Sequence, residues 1–401
     1  MASSKTRRMD PIVGVVTTGI YCLEGVCGGR PKLSNVRRFT NAVAAEAAGL
    51  RACHLCRPYR REPMSTWVGT ELICRAVRVI LDGALHGGTE EDLARALGVS
   101  ARHLRRRFLE EVGTTPVQLA RSSRAHFARR LLDDTDLSIT EIAFAAGFGS
   151  VRQFNRTMRE IFRETPRELR ARRRKADRLA ADGGLALRLP VTREVPADVF
   201  LALLGEQAIP GVESVQADVY RRTIEVEGAP GVLEIAPGDG SHMVARLHLP
   251  HWEGLIHLVR RARRIFRLDD HAHDGSGDSV CGDAAPDLPG TWDPFEVGVR
   301  SILLRTGHDP TEGLAALVGS FGEEVPGLEP WGLGRLFPPP ARIATEEIRL
   351  LHGADAALLR RWAAAMDAAD RARLDRQSLV RLGRAGGFPR WLTDDVAARL
   401  P

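Results

Sequence analysis

The sequence predicts a multidomain chain in four parts: a small α+β unit built around cysteines, an all-α unit, an α+β unit carrying a sheet, and a closing all-α unit. Three observations carry that reading. Four of the six cysteines stand in the first 56 residues, a helical pattern in the second part recurs about fifty residues after its first appearance, and beyond residue 184 alternating β-branched stretches replace it. A length of 401 residues with 44% hydrophobic content suits two to four globular domains, and no stretch is long and apolar enough for a membrane span. The formal charge of +6 hides a division. Residues 1–180 hold 33 Lys and Arg against 19 Asp and Glu, a balance of +14, whereas residues 181–401 hold 24 against 32, a balance of −8. Such asymmetry is expected when one half grips nucleic acid.

In the first part, Cys22 and Cys27 are followed by the Cys-X-X-Cys pair Cys53 and Cys56, which together supply four thiolates for one tetrahedral zinc. The alternative is two disulfides in a secreted domain. The opening Met-Ala-Ser-Ser-Lys-Thr-Arg-Arg has no signal-peptide pattern, so a cytoplasmic metal site is expected instead. Cys74 and Cys281 stand alone. Thr18, Arg30, Lys32, Arg37, Arg38 and Arg51 surround the four ligands with groups suited to phosphate contacts.

The stretches Val-Val-Thr-Thr-Gly-Ile-Tyr-Cys (15–22), Asn-Val-Arg-Arg-Phe (35–39), Glu-Ala-Ala-Gly-Leu-Arg (46–51) and Ala-Cys-His-Leu-Cys-Arg-Pro (52–58) resemble the methyl-accepting zinc domain of the Ada family of alkylation-response proteins. The resemblance implies that Cys22, the first of the four, takes a methyl group from a DNA methylphosphotriester in a single turnover. Zinc suits that chemistry because it keeps a thiol ionised at neutral pH. Four thiolates on one zinc carry two negative charges, and methylating one leaves a single charge, which lowers repulsion from DNA phosphate. Two departures from the family pattern stand out: four residues separate Cys22 from Cys27 where the family has three, and the segment before Val13 is short. Gly25, Gly28 and Gly29 supply the backbone freedom to absorb the extra residue.

From residue 66 to about 174 the pattern predicts helices over 70–81, 90–97, 101–112, 116–132, 139–146, 152–162 and 166–174, punctuated by Gly and Ser. An internal repeat matches residues 92–108 to residues 141–158, each copy reading as helix, glycine turn and capped helix. With Gly147-Phe148 and the closing Phe-Arg-Glu-Thr-Pro-Arg-Glu-Leu-Arg (162–170), it resembles the twin helix-turn-helix domain of AraC-family transcription regulators. The bland alternative is a helical bundle with charged outer faces. Two recognition helices imply entry into two successive major grooves. Leu104, Phe108, Phe154 and Met158 must face inward, which leaves Arg102, His103, Arg105 and Arg106 in one helix, and Arg152, Gln153, Asn155, Arg156 and Arg159 in the other, for DNA. The capping residues Ser100 and Ser150 suit phosphate contacts.

A basic run over 170–178 leads into Ala-Ala-Asp-Gly-Gly (180–184), a linker by composition. Beyond it, strands are expected over 185–190, 211–220, 223–226, 231–236 and 242–249, with helices over 197–204 and 252–266. Val-Tyr-Arg-Arg-Thr (219–223) and Gly-Ala-Pro-Gly-Val (228–232) resemble the N-terminal sheet domain of AlkA-type 3-methyladenine DNA glycosylases, and residues 288–303 look like the first core helix of the glycosylase domain. The likeness then decays. The family's Gln-containing stretch is replaced by Leu-Arg-Thr-Gly-His (304–308), and Pro389 removes one N–H from the best match to its phosphate-gripping hairpin, residues 384–391. No residue is assigned as the glycosylase catalytic Asp, since Asp394 and Asp395 fall within the helix after the hairpin. The closing part therefore reads as a truncated, degenerate, all-α helix-hairpin-helix unit without catalysis. His271, His273, Asp274 and Cys281 read as a solvated Gly and Asp-rich loop rather than a second metal site.

The four expected units are 1–66, 67–178, 183–268 and 285–401. Together they imply a DNA-alkylation sensor and transcription activator of the adaptive response, binding one zinc, methylated DNA and double-stranded promoter DNA. RNA polymerase is the expected protein partner, and the bacterial cytoplasm, on the nucleoid, the expected location. Two alternatives are a bifunctional protein that also excises 3-methyladenine, and a plain regulator whose zinc is only structural.

Overall fold

A computed structural model describes residues 12–29, 31–60, 69–179, 183–191, 197–269, 289–305, 309–348, 351–369, 374 and 376–400. The first unit is a small mixed sheet of β1 (Ile12–Val15), β2 (Ile20–Leu23), β3 (Val36–Phe39) and β4 (Arg51–Ala52), ordered β3-β1-β2-β4. β1 pairs antiparallel with β2 and β3, and β2 pairs parallel with β4. Side chains alternate along a strand, so Tyr21 and Leu23 enter the core while Cys22 lies half-buried on the opposite face. The helix α1 (Ala42–Ala47), capped by the Asn41 side chain, closes the unit.

Seven helices follow: α2 (Glu71–Leu81), α3 (Glu90–Ala96), α4 (Ala101–Val112), α5 (Pro116–Asp134), α6 (Ile139–Ala145), α7 (Val151–Phe162) and α8 (Pro166–Ala171). Their starts are written in reciprocal caps, in which a hydroxyl and a carboxylate or amide three residues on satisfy each other's backbone N–H: Thr89 with Asp92, Thr115 with Gln118, Ser138 with Glu141 and Thr165 with Glu168. Gly98 (φ +74°) and Gly147 (φ +76°) make the turns between the helices of each repeat copy. The last helix ends before the expected 174. The Arg172 N–H turns back to Leu169 O at 3.2 Å, and a 3₁₀ turn, Lys175–Asp177, takes over.

The second sheet has β5 (Leu185–Pro190), β6 (Glu213–Gln216), β7 (Val219–Val226), β8 (Ala229–Pro237) and β9 (His242–His248), ordered β5-β9-β8-β7-β6 and antiparallel throughout, with α9 (Ala197–Glu206) and α10 (Leu255–Ile265) beside it. The strand expected over 211–220 is in fact a hairpin. Ala217 (φ +50°) and Asp218 (φ +57°) form a two-residue turn with both residues left-handed, so β6 ends at Gln216 and β7 begins at Val219. The final unit contains α11 (Pro294–Arg305), α12 (Pro310–Phe321), α13 (Pro340–Thr345), α14 (Gly353–Ala368), α15 (Arg376–Gly386) and α16 (Arg390–Arg399).

Three cores result, and their division cuts across the units. One joins Tyr21, Phe127, Leu131, Phe154, Leu187, Leu233, Leu255 and Ile256, so the first sheet, α5, α7, the second sheet and α10 share it. A second holds α2 to α4 around Ile73, Leu104 and Phe108, and a third holds α11 to α16 around Phe295 and Trp362. Cys74, which has no neighbouring cysteine in the sequence, is disulfide-bonded.

An ionic junction lies where three units meet. Arg57 binds both carboxylate oxygens of Asp177 at 2.7 Å, Arg60 reaches Asp134 at 3.1 Å and Asp133 at 3.3 Å, and Arg188 reaches Asp134 at 3.1 Å. Asp133, whose side chain is fully buried, also accepts from Tyr59 at 3.0 Å and pairs with Arg129. Removing one member leaves the others as buried, uncompensated charges. Asp133→Ala is therefore expected to cost about 3 to 5 kcal/mol in urea unfolding followed by circular dichroism. An unchanged midpoint would show that the junction is not part of the cooperative core.

Candidate metal centre and nucleic-acid interface

The mixed sheet places Cys22 on β2 and Cys27 in the turn after it, while Cys53 and Cys56 follow β4, the parallel neighbour of β2. That pairing brings two cysteine pairs about thirty residues apart in the chain to one point. All four Sγ atoms lie within 4.8 Å of one another, and Cys27 Sγ is 3.6 Å from Cys53 Sγ. A tetrahedral site with Zn–S bonds of about 2.3 Å has sulfur-to-sulfur edges near 3.8 Å, whereas a disulfide needs about 2.05 Å. The donor set fits zinc. Between Cys22 and Cys27, Gly25 takes a φ of +76°, which a side chain would resist.

The thiols cannot all ionise without a cation. The hydrogen bond to Cys56, with burial behind it, pushes the Cys22 thiol far up, and burial together with Cys56 raises Cys27 to about 11. The same contacts, that with Cys22 first, lower Cys56 to about 5. One thiolate held by its neighbours' protons becomes four when a dication replaces those protons, so loading the site releases protons. The Leu55 N–H donates to Cys53 Sγ at 3.3 Å, which steadies the loop.

Of the residues read as phosphate contacts here, Thr18 is exposed but its hydroxyl donates to Val15 O at 3.2 Å. Arg51 is half-buried and donates to Ala52 O at 3.1 Å. Arg38 is paired with Glu24 at 2.6 Å, and Arg37 stacks over Phe39. Arg30 lies outside the described residues, as do His271, His273, Asp274 and Cys281.

Sequence reading missed the groups that bind this unit to the helices. Tyr21, next to Cys22, donates to Glu46 at 2.7 Å, and Glu46 also meets His126 Nε2 at 2.6 Å and the Ser122 hydroxyl at 2.6 Å, both on α5. His54 Nε2 lies 3.2 Å from Glu164, which Arg172 also holds at 2.7 Å. Burial, then Arg51, lowers the His54 pKa. Arg163 adopts a left-handed backbone (φ +63°) at the end of α7, where α4 ends on Gly113, and its guanidinium donates to Gly49 O at 3.2 Å. That conformation costs a non-glycine residue about 1 to 2 kcal/mol, offset here by the contact with the metal unit. None of these carries a local motif; each is a single polar residue whose partner is remote in sequence.

On the recognition helices, Leu104, Phe108, Phe154 and Met158 are fully buried, as helical periodicity requires. Arg102, Arg105, Arg106, Arg152, Arg156 and Arg159 are exposed, and His103, Gln153 and Asn155 are half-exposed. Arg105, Arg106 and Arg156 lie 3.9 to 4.0 Å from Glu90, Glu110 and Glu160. Among the described residues, Arg102, Arg152 and Arg159 make no ion pair. Gln153 Oε1 accepts from the Gly149 N–H at 3.2 Å, so reading a base with that oxygen requires breaking this bond. Ser100 and Ser150 accept from His103 N and Gln153 N, both at 3.2 Å, leaving their hydroxyl protons for another acceptor. Four residues of the basic run over 170–178 make intramolecular contacts while Arg172, Arg174, Lys175 and Arg178 stay exposed: Arg170 donates to Leu137 O, Arg173 and Arg178 pair with Asp136, and Arg172 pairs with Glu164.

The hairpin between α15 and α16 forms, with Gly387 left-handed (φ +60°) and Arg361 donating to the carbonyls of Gly386 and Gly387. Asp394 and Asp395 lie exposed on α16. Among the described residues, no helix is long and apolar enough to cross a membrane.

Three family models match the chain: the metal binding domain of Ada over residues 3–59, a helix-turn-helix domain over 93–172, and the AlkA N-terminal domain over 186–273. A protein of Mycobacterium tuberculosis described as a probable bifunctional transcriptional activator/DNA repair enzyme AlkA is 35% identical over 339 residues, covering 80% of this chain and 68% of the relative. The bifunctional transcriptional activator/DNA repair enzyme AdaA of Bacillus subtilis is 31% identical over 157 residues, 39% of this chain and 72% of the relative. A 3-methyladenine DNA-glycosylase structure from Archaeoglobus fulgidus aligns with 53% of this chain and 78% of its own at 18% identity, with a TM-score of only 0.41. With its four-cysteine zinc site and paired recognition helices, the chain belongs to the family of Ada-type, DNA-alkylation-responsive transcription activators that carry an AlkA-like region.

Proposed function

We propose that Cys22 is the methyl acceptor and that Cys22, Cys27, Cys53 and Cys56 are the zinc ligands. The observation that carries this reading is the convergence of the four sulfurs, with Cys22 half-buried on the face of β2 opposite the core. Zinc, when bound, keeps the sulfurs ionised at neutral pH. The Cys22 thiolate attacks the methyl carbon of a DNA methylphosphotriester; the S–CH₃ bond forms as the CH₃–O bond breaks, and the electron pair leaves with the oxygen as an ordinary phosphodiester. No proton moves. Thr18, Arg30 and Arg51 are assigned to the phosphate beside it, and the loss of one negative charge strengthens promoter binding. Incubation with methylphosphotriester DNA should add one methyl to the intact mass, mapping to Cys22, and Cys22→Ala should abolish it. A methyl on Cys27, or an unchanged promoter affinity at fixed salt, would contradict the switch.

The working units in this reading are 1–66, 67–178, 183–268 and 285–401. Ser100, Arg102, His103, Arg105 and Arg106 on one side, and Ser150, Arg152, Gln153, Asn155, Arg156 and Arg159 on the other, face DNA. As an activator at a promoter, the protein acts on RNA polymerase, which places it on the nucleoid. Arg152 is the strongest candidate for reading a base, being exposed and free of an ion pair. Its replacement by Ala should cost about 1 to 3 kcal/mol on a cognate duplex. Equal losses on cognate and random duplexes would reassign Arg152 to a phosphate.

The AlkA-like half is assigned no base-excision activity. Its hairpin carbonyls are occupied by Arg361, Pro389 lacks an N–H, and Asp394 and Asp395, neither assigned as a catalytic Asp, are exposed. The full chain incubated with duplex containing 3-methyladenine should release no free base, and enzyme-dependent release with turnover would establish the bifunctional alternative.

A further inference from the structure

In the sheet of the metal unit, residues directly opposite each other on neighbouring strands share a face. Val13 on β1 stands opposite Cys22 on β2 and opposite Arg38 on β3, so Arg38, Val13 and Cys22 form one row across the face that carries the acceptor sulfur. On the other flank, Arg51 on β4 is in register with Ile20, which lies on this same face two residues before Cys22. Cys22 therefore stands between two arginines, Arg51 on the adjacent strand and Arg38 two strands away, with about 10 Å between the backbones. The two are held differently. Arg51 is half-buried and bonded to Ala52 O, whereas the Arg38 side chain is 73% exposed and is held at 2.6 Å by Glu24. Glu24 comes two residues after Cys22 and reaches Arg38 across β1, so a carboxylate lies on the side from which a DNA phosphate must approach.

We propose that Glu24 selects the methylphosphotriester against the unmodified phosphodiester, and that Arg38 holds the phosphate next along the strand. The inference rests on the reading that Cys22 is the methyl acceptor. At the docking point the two kinds of backbone differ by one charge: the triester is neutral and the diester is an anion. A diester over Cys22 meets the Glu24 carboxylate with like charge, whereas a triester does not. The flanking phosphates are anions in both cases and need a cation. Arg38 supplies it on the β3 side, opposite Arg51, by exchanging Glu24 for phosphate; the exchange is easy because so exposed an ion pair is weak and screened by water and salt. Unmodified phosphates far outnumber methylated ones in any DNA, so rejecting them matters as much as binding the lesion. Glu24 thus acts as a specificity determinant and Arg38 as a positioning residue.

The test uses the full-length, zinc-loaded chain in single-turnover methyl transfer from a duplex carrying one methylphosphotriester, with the unmodified duplex as competitor. The ratio of the competitor's inhibition constant to the substrate concentration at half-maximal rate measures discrimination. Glu24→Gln should lower that ratio about three- to fivefold, an effect that fades as salt screens the charge. Glu24→Asp, which keeps the charge, should keep the wild-type ratio. Arg38→Ala should weaken both duplexes without lowering the ratio, and reduce the salt slope of binding by about one. Zinc content and maximal rate, which report an intact site, should stay within about twofold of wild type in all three. A wild-type ratio in Glu24→Gln, or a loss of maximal rate in place of half-saturation in Arg38→Ala, overturns the proposal. If the wild type takes no methyl at Cys22, the acceptor reading fails first and takes the proposal with it.

Discussion

Three carboxylates packed among four guanidinium groups hold this protein together. Asp133 and Asp134 end α5, a helix terminus whose own dipole repels negative charge. They are tolerated there because Arg129 comes from the same helix, Arg57 and Arg60 from just beyond the last zinc ligand, and Arg188 from the second sheet, with Asp177 of the 3₁₀ turn after α8 completing the set. Burial drives the Asp134 carboxyl upward even so, which shows how much desolvation the cluster bears. Ion pairs so placed add little net stability over apolar packing, but they admit one arrangement of the units, because any other strands a charge out of water.

That arrangement decides how the positive charge of the first half is used. A balance of +14 over residues 1–180 suggests a broad basic surface. Part of it is spent within the molecule: Arg57 and Arg60 tie the metal unit to Asp133 and Asp177, Arg129 and Arg173 pair with Asp133 and Asp136 inside the helical unit, and Arg172 pairs with Glu164 beside His54. Among the described residues, Arg102, Arg152 and Arg159 on the recognition helices are exposed and make no ion pair, which leaves them available for contacts to DNA. The metal unit is likewise joined to the helices rather than tethered, through Tyr21, Glu46 and His126 behind Cys22.

Much of this was legible in the sequence because the signals were local. Cys-X-X-Cys spacing, reciprocal helix caps, glycine turns and the repeat depend on residues within a few positions of one another, so they name the zinc ligands, helix starts and inward faces directly. The reading of 211–220 as one strand failed because an Ala-Asp turn lacks the usual Asn-Gly or Gly signature. The pairings of the basic run over 170–178 were illegible for a related reason: sequence shows charge, not the carboxylate that meets it.

The amino-acid sequence by itself determined the identity of the units, the donor set of the metal site and the residues available to DNA, since each follows from periodicity or spacing within one unit. Tertiary structure alone decided which arginines are spent, that α7 packs into the core of the second sheet and α10 while α4 packs with α2, α3 and Val43 of α1, and that the AlkA-like half lies against the helical module. Those outcomes depend on pairings between residues far apart in the chain, such as Arg57 with Asp177 or Gln377 with Glu71, and no local pattern encodes a partner that only folding brings within reach.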